Sequence, residues 1–77
     1  MGQIFKLKDR GRAILCEEDY RTVIIIPAKA NVVLVGGDID KDAFVKIRYS
    51  GRVLFMAAED LRSRGELLGT LAEFVDQ

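Results

Sequence analysis

The chain has no histidine and no tryptophan, and only one cysteine and one proline among its 77 residues. Without histidine it lacks the side chain that most often serves as a general acid or base near neutral pH. It also lacks the histidine and paired cysteine ligands typical of zinc sites, and its lone cysteine cannot form an internal disulfide. We therefore expect a protein with no catalytic residues, no metal site and no cofactor.

An excess of charge of one sign is also missing, because 12 Lys and Arg residues balance 12 Asp and Glu residues for a net charge of +0. No overall field should therefore attract nucleic acid or an anionic membrane. No stretch reaches the roughly 18 consecutive apolar residues of a membrane-spanning helix. The first residues, from Met1 to Lys6, lack the apolar core of a secretory signal. These absences predict a cytoplasmic protein that does not contact a membrane.

What is present is typical of one compact domain covering residues 1–77, with 49% hydrophobic and 31% charged residues. Short runs rich in β-branched residues are separated by turn-forming residues, which favours a mainly β fold. A short strand, half-buried or at a sheet edge, is predicted at Phe5–Lys8. Five further strands are predicted at Arg12–Cys16, Thr22–Ile26, Asn31–Val35, Phe44–Tyr49 and Arg52–Met56.

The clearest strand signal lies in the second half of the chain. Residues 44–49 alternate between two faces, so Val45, Ile47 and Tyr49 are predicted to face the core. Ser50 and Gly51 stand between this run and the next, which is the spacing of a tight hairpin. We therefore predict an antiparallel pair over residues 44–56.

A helical pattern follows the last predicted strand. Ala58–Leu61 has the composition of a short helical turn, and Ser63 with Glu66 matches a capping box. Apolar residues then recur at spacings of three and four, which predicts a C-terminal amphipathic helix over residues 62–77 on a barrel formed by residues 1–61. The stripe on this helix is the candidate partner-binding surface: Leu67, Leu71, Phe74 and Val75. Packing of the stripe on its own barrel is favoured, and docking on another protein or a second copy stays open.

Residues 24–61 resemble the bacterial SH3-type domain. The features similar to that family are a proline turn at Ile26–Ala30, a strand that runs into an acidic loop over Val32–Asp42, an aromatic-led strand and glycine hairpin at Phe44–Arg52, and Asp60-Leu61 at the position of a short helical turn before the last strand. The resemblance implies a small SH3-like barrel of five or six short antiparallel strands. Because the chain has no tryptophan, it offers little for the aromatic-lined groove that binds proline-rich peptides.

Basic residues form the candidate nucleic-acid-binding surface. Lys6, Lys8, Arg10 and Arg12 recur at every second position, so an extended segment would place all four on one face. Around the predicted hairpin, Lys46, Arg48 and Arg52 could extend this surface. A solvated strand face is favoured over nucleic-acid binding, because the domain has no net positive charge and the four cations of residues 6–12 have no aromatic residues between them.

Acidic residues and the cysteine give weaker signals. Asp38, Asp40 and Asp42 are spaced as the first ligands of a calcium loop, but Ala43 and Tyr49 replace the required glycine and glutamate, so a solvated turn is favoured. The neighbouring carboxylates of residues 17–19 rarely face one another, which disfavours acid–base catalysis. Cys16 is expected to be buried.

Together these patterns predict a non-catalytic SH3-like interaction module that binds another protein or itself. Nucleic-acid binding through the basic face is the first alternative. A small enzyme subunit that uses loop carboxylates is the second.

Overall fold

Seven strands and one helix make up the computed structural model, which describes residues 2–70. The elements are β1 (Gln3–Leu7), β2 (Gly11–Cys16), β3 (Arg21–Ile26), β4 (Asn31–Gly36), β5 (Phe44–Tyr49), β6 (Arg52–Ala57), α1 (Ala58–Arg64) and β7 (Gly65–Thr70). The mainly β fold is confirmed, and each of the five longer predicted strands is present to within a residue at either end.

All seven strands belong to one antiparallel sheet in the order β3-β2-β6-β5-β4-β1-β7. β3 and β7 are its two edges and do not pair with each other, so the sheet is not closed as the predicted barrel would be. β1 is an inner strand between β4 and β7, not the edge strand that its short alternating sequence allowed. Among residues 2–70, the sheet therefore has two free edges.

One face of the sheet encloses a single apolar core. Leu7 on β1 and Ile26 on β3 belong to the same buried cluster, although their strands lie far apart in the sheet order. The sheet must curl to bring them together, because only residues 27–30 connect the end of β3 to the start of β4. Two backbone hydrogen bonds extend the pairing of β1 with β4 into this connection. The Leu7 N–H donates to the Ala30 carbonyl at 2.9 Å, and the Lys29 N–H donates to the Leu7 carbonyl at 2.7 Å. Full burial of each such side chain stabilises the fold by about 1.5–3 kcal/mol.

The β5–β6 hairpin forms as predicted. Tyr49 pairs with Arg52, and Ser50 and Gly51 both have positive φ angles, of 55° and 77°. Positive φ at both central residues is characteristic of the type I′ turn, whose twist matches that of the flanking strands. Val45 and Ile47 are buried in the core, which confirms the predicted alternation of β5.

The predicted C-terminal helix is wrong over residues 65–70. Helix α1 forms earlier, over Ala58–Arg64, and Ser63 lies in its last turn instead of capping a new helix. The chain then pairs with β1, from Leu7 opposite Gly65 to Gln3 opposite Thr70. Gly65 and Gly69 disfavour a helix, and the open edge of β1 offers backbone hydrogen-bond partners that a local pattern does not show. Leu71, Phe74 and Val75 lie outside the described residues.

Helix α1 covers one end of the core. Ala58 and Leu61 are buried, while its polar residues face outward. The Ala58 N–H donates to the Ala43 carbonyl at 2.9 Å, which ties the start of the helix to the loop before β5. Within residues 2–70, no helix is long and apolar enough to cross a membrane.

Candidate functional site

The basic residues near the N-terminus do not share one strand. Lys6 lies on β1 and Arg12 on β2, and three strands separate these two in the sheet. Lys8 and Arg10 lie in the connection between them. The continuous basic stripe expected of one extended segment is therefore not formed, because the chain turns after Leu7.

Cations do gather on the outer face of the sheet, opposite the core. Lys46 lies opposite Phe55, and its ammonium group is 5.8 Å from the centre of the phenyl ring. Phe44, 56% exposed, shares this face with Lys46 and Arg48 because the three alternate with the buried residues of β5. Aromatic side chains therefore lie among the cations of β5. The basic segment at residues 6–12 contains no aromatic residue.

The charged residues of the strands are mostly cations, whereas the carboxylates lie mostly in the segments that connect the strands. The strands carry six cations and one anion: Lys6, Arg12, Arg21, Lys46, Arg48 and Arg52 against Glu66. Within residues 2–70, every other Asp and Glu lies in a loop or in α1. A chain with no net charge thus has a basic sheet and acidic connections.

The edge strand β3 exposes an apolar surface. Among the described strands it pairs only with β2, in an unbroken register from Gly11 opposite Ile26 to Cys16 opposite Arg21. Val23 and Ile25 are 60% and 52% exposed, and they lie on the same side of the strand because they are two residues apart. The strand has a regular free edge with one charged residue, at its first position.

The other edge, β7, is less regular. Its register with β1 shifts between Ile4 and Phe5, and it contains two glycines. Leu67, a predicted partner-binding residue, is 53% exposed on this edge. Leu67 therefore lies at the surface, but on a strand instead of on the expected helical stripe.

A groove lies at the C-terminal end of β3, between the β1–β2 connection and α1. It consists of two adjoining cavities of about 690 and 580 Å³. The lining residues are Asp9, Arg10, Gly11, Arg12, Ile25, Pro27, Ala28, Asp60 and Arg64. Arg64 donates a hydrogen bond to the Arg10 carbonyl at 3.3 Å, and its Nε lies 3.9 Å from an Asp60 carboxylate oxygen. We name this the arginine groove, after Arg10, Arg12 and Arg64.

Carboxylates in the loop before β5 accept hydrogen bonds from the backbone of the same loop. In the loop before β5, the Asp38 N–H donates to the Asp42 carboxylate and the Asp40 N–H donates to the Asp38 carboxylate, both at 2.8 Å. These carboxylates stabilise the turn, as the favoured interpretation predicted. No group of three or more potential metal ligands occurs within residues 2–70.

The turn between β2 and β3 carries three exposed carboxylates, on Glu17, Glu18 and Asp19. It is closed by a 2.9 Å hydrogen bond from the Glu17 N–H to the Tyr20 carbonyl. Cys16, expected to be buried, is exposed instead, because Ala13 and Leu15 are on the core face of β2 and Cys16 lies on the opposite face.

Sequence reasoning missed the β3 edge and the arginine groove. The run Thr22–Ile26 has the composition of a core strand, and nothing local indicates that it has only one neighbour. The groove joins residues from three separate segments. Searches against protein-family models, curated proteins and solved structures found no match for this chain.

Proposed function

We propose that this protein is a non-catalytic interaction module with an SH3-like small-barrel fold, and that it associates with a second copy of itself through β3. The SH3-like part is supported by α1, which stands directly before the last described strand. The family resemblance places a short helical turn at that position. The curl of the sheet around one core also favours a barrel-like form.

The free edge of β3 is the observation that carries the proposal. An edge strand leaves a row of backbone N–H and C=O groups without partners in the sheet, and such a row can pair with another strand. Natural edges are commonly blocked by bulges, by lysines or by prolines within the strand. β3 has no bulge, lysine or proline within Arg21–Ile26, and its one charged residue, Arg21, stands at its first position.

A second copy is a suitable partner because β3 is complementary to itself. In an antiparallel pairing centred on Ile24, Val23 of each copy lies opposite Ile25 of the other. The two-fold arrangement brings four exposed β-branched side chains into one apolar cluster, and it places no like charges opposite each other within the strands. The result is a continuous sheet across both copies.

Sedimentation equilibrium of the full chain tests this proposal. We expect a dimer that dissociates on dilution, and we expect Ile25→Lys to shift the chain to the monomer because it places two cations in the apolar cluster. Val53→Lys is the matched control, since Val53 is 45% exposed on the same outer face but lies on the inner strand β6. A wild-type monomer at high concentration would refute the proposal, as would equal effects of the two variants. Circular dichroism should show that both variants are folded.

Nucleic-acid binding is a second candidate, favoured by the basic outer face with Phe44 and Phe55 among its cations. Aromatic rings that stack on bases, combined with cations that contact phosphates, are common in proteins that bind single strands. The separation of basic strands from acidic connections supplies the local field that the net charge does not.

Fluorescence anisotropy with a labelled single-stranded oligonucleotide tests this second candidate. We expect binding with a Kd of about 10 μM at about 50 mM salt, weakening steeply as salt rises. The double variant Lys46→Ala/Arg48→Ala should weaken binding, whereas Lys41→Ala, in the loop before β5, should not. No anisotropy change at low salt, or equal binding by all variants, would eliminate this candidate.

A further inference from the structure

The two ends of β3 carry opposite charge. At its N-terminal end, the connecting turn holds Glu17, Glu18 and Asp19. The C-terminal end borders the arginine groove, whose lining includes Ile25 and Pro27. A six-residue strand is about 20 Å long, so these two regions are separate surfaces on one copy.

The basic end is held together by backbone contacts. The Lys8 N–H donates to the Arg64 carbonyl at 2.6 Å, and Lys29 and Arg64 each donate to a backbone carbonyl of the β1–β2 region. Five cations therefore occupy this end with two carboxylates: Lys8, Arg10, Arg12, Lys29 and Arg64 with Asp9 and Asp60. The balance is positive, and Asp60 already lies near Arg64.

The acidic end holds three carboxylates and one nearby cation, Arg21 at the first position of β3, so its balance is negative. Within residues 2–70, the only ion pair closer than 4 Å joins Arg64 to Asp60, so the carboxylates of Glu17, Glu18 and Asp19 make none. All three are exposed, on a turn that projects from the strand end. They are available to a basic surface on another molecule.

We propose that the acidic turn of one copy, Glu17–Asp19, docks at the arginine groove of the second copy. This inference rests on the proposed association through β3. Antiparallel pairing places the N-terminal end of each β3 beside the C-terminal end of the other, so each acidic turn meets a basic end, and the contact occurs twice by symmetry. A parallel pairing would bring acid to acid and base to base, which like-charge repulsion disfavours. Charge at the strand ends therefore selects the antiparallel orientation.

Charge reversal with rescue tests this docking. Glu18→Lys and Arg10→Glu should each raise the dimer Kd about tenfold, because each creates like-charge contacts at both ends of the interface. The double variant Glu18→Lys/Arg10→Glu should recover most of the wild-type affinity, since it restores opposite charges in exchanged positions. Asp40→Lys and Lys41→Glu are matched controls that make the same charge changes in a loop away from β3, and their Kd should stay near the wild-type value.

The outcomes separate the two proposals. If Ile25→Lys dissociates the dimer but the single reversals do not, or if the double variant fails to recover, the docking is refuted and the association through β3 stands. A wild-type chain that is monomeric at high concentration refutes both. Thermal melts of each reversal variant show whether a lost dimer reflects the interface or the fold.

Discussion

The two edges of the sheet expose similar apolar character but differ in regularity. Ile25 on β3 and Leu67 on β7 are both about half exposed. β3 keeps one register with its neighbour over six residues, whereas the register of β7 shifts midway and includes Gly65 and Gly69. Strand pairing needs a straight, evenly spaced row of backbone groups, and a bulge disturbs that row. Regularity, more than exposed hydrophobic area, therefore distinguishes the edge that can accept another strand.

The largest expected effect concerns how firmly each edge is attached to the core. Ile26 is fully buried at the end of β3, so Ile26→Ala should lower the free energy of unfolding by about 2–5 kcal/mol. Leu67→Ala removes a half-exposed side chain from β7, and it should change the free energy of unfolding by no more than about 0.5 kcal/mol. Urea unfolding of both variants measures the difference. Equal losses would mean that the two edges contribute alike to the core.

The next effect concerns association. Ile25→Lys should raise the dimer Kd about tenfold or more, corresponding to at least about 1.4 kcal/mol of lost interface free energy. Leu67→Lys makes the same change on β7 and should leave the Kd within about twofold of wild type. Analytical ultracentrifugation over a dilution series checks both values. A larger effect from Leu67→Lys would identify β7 as the interacting edge.

A smaller effect comes from salt. Opposite charges flank β3, so raising NaCl from about 50 mM to about 300 mM should weaken the dimer roughly two- to fivefold by screening. The apolar cluster between the strands should be insensitive to this change. Dilution series at both salt concentrations provide the test, and a salt-independent Kd would show that the strand ends do not contribute.

The sequence predicted the strands well where local pattern and long-range pairing agree. β-branched residues defined β3, and strict alternation with a Ser50-Gly51 turn defined the β5–β6 hairpin. Residues 65–70 were mispredicted because Leu67 and Leu68 begin a helical spacing. The strand with which this segment pairs, β1, lies some sixty residues away in the chain, so the local pattern does not show it.

The candidate site was less predictable than the fold. The isoleucine run of β3 has the same composition whether the strand is buried between two neighbours or lies at an edge. The exposure of β3 depends on the sheet order, and a short stretch of sequence does not show which strands become neighbours. The arginine groove likewise depends on the curl that brings Arg10 and Arg12 near Arg64, and only the tertiary structure shows this proximity.

Hydrogen–deuterium exchange measured at low and at high protein concentration tests directly whether β3 is the associating edge. Backbone amides on the free side of Arg21–Ile26 should exchange rapidly in dilute protein and become protected as concentration rises, because they gain hydrogen-bond partners from the second copy. Amides of Gly65–Thr70 should exchange at the same rate at both concentrations. Protection that is independent of concentration in β3, or that rises in β7 instead, would contradict association through β3.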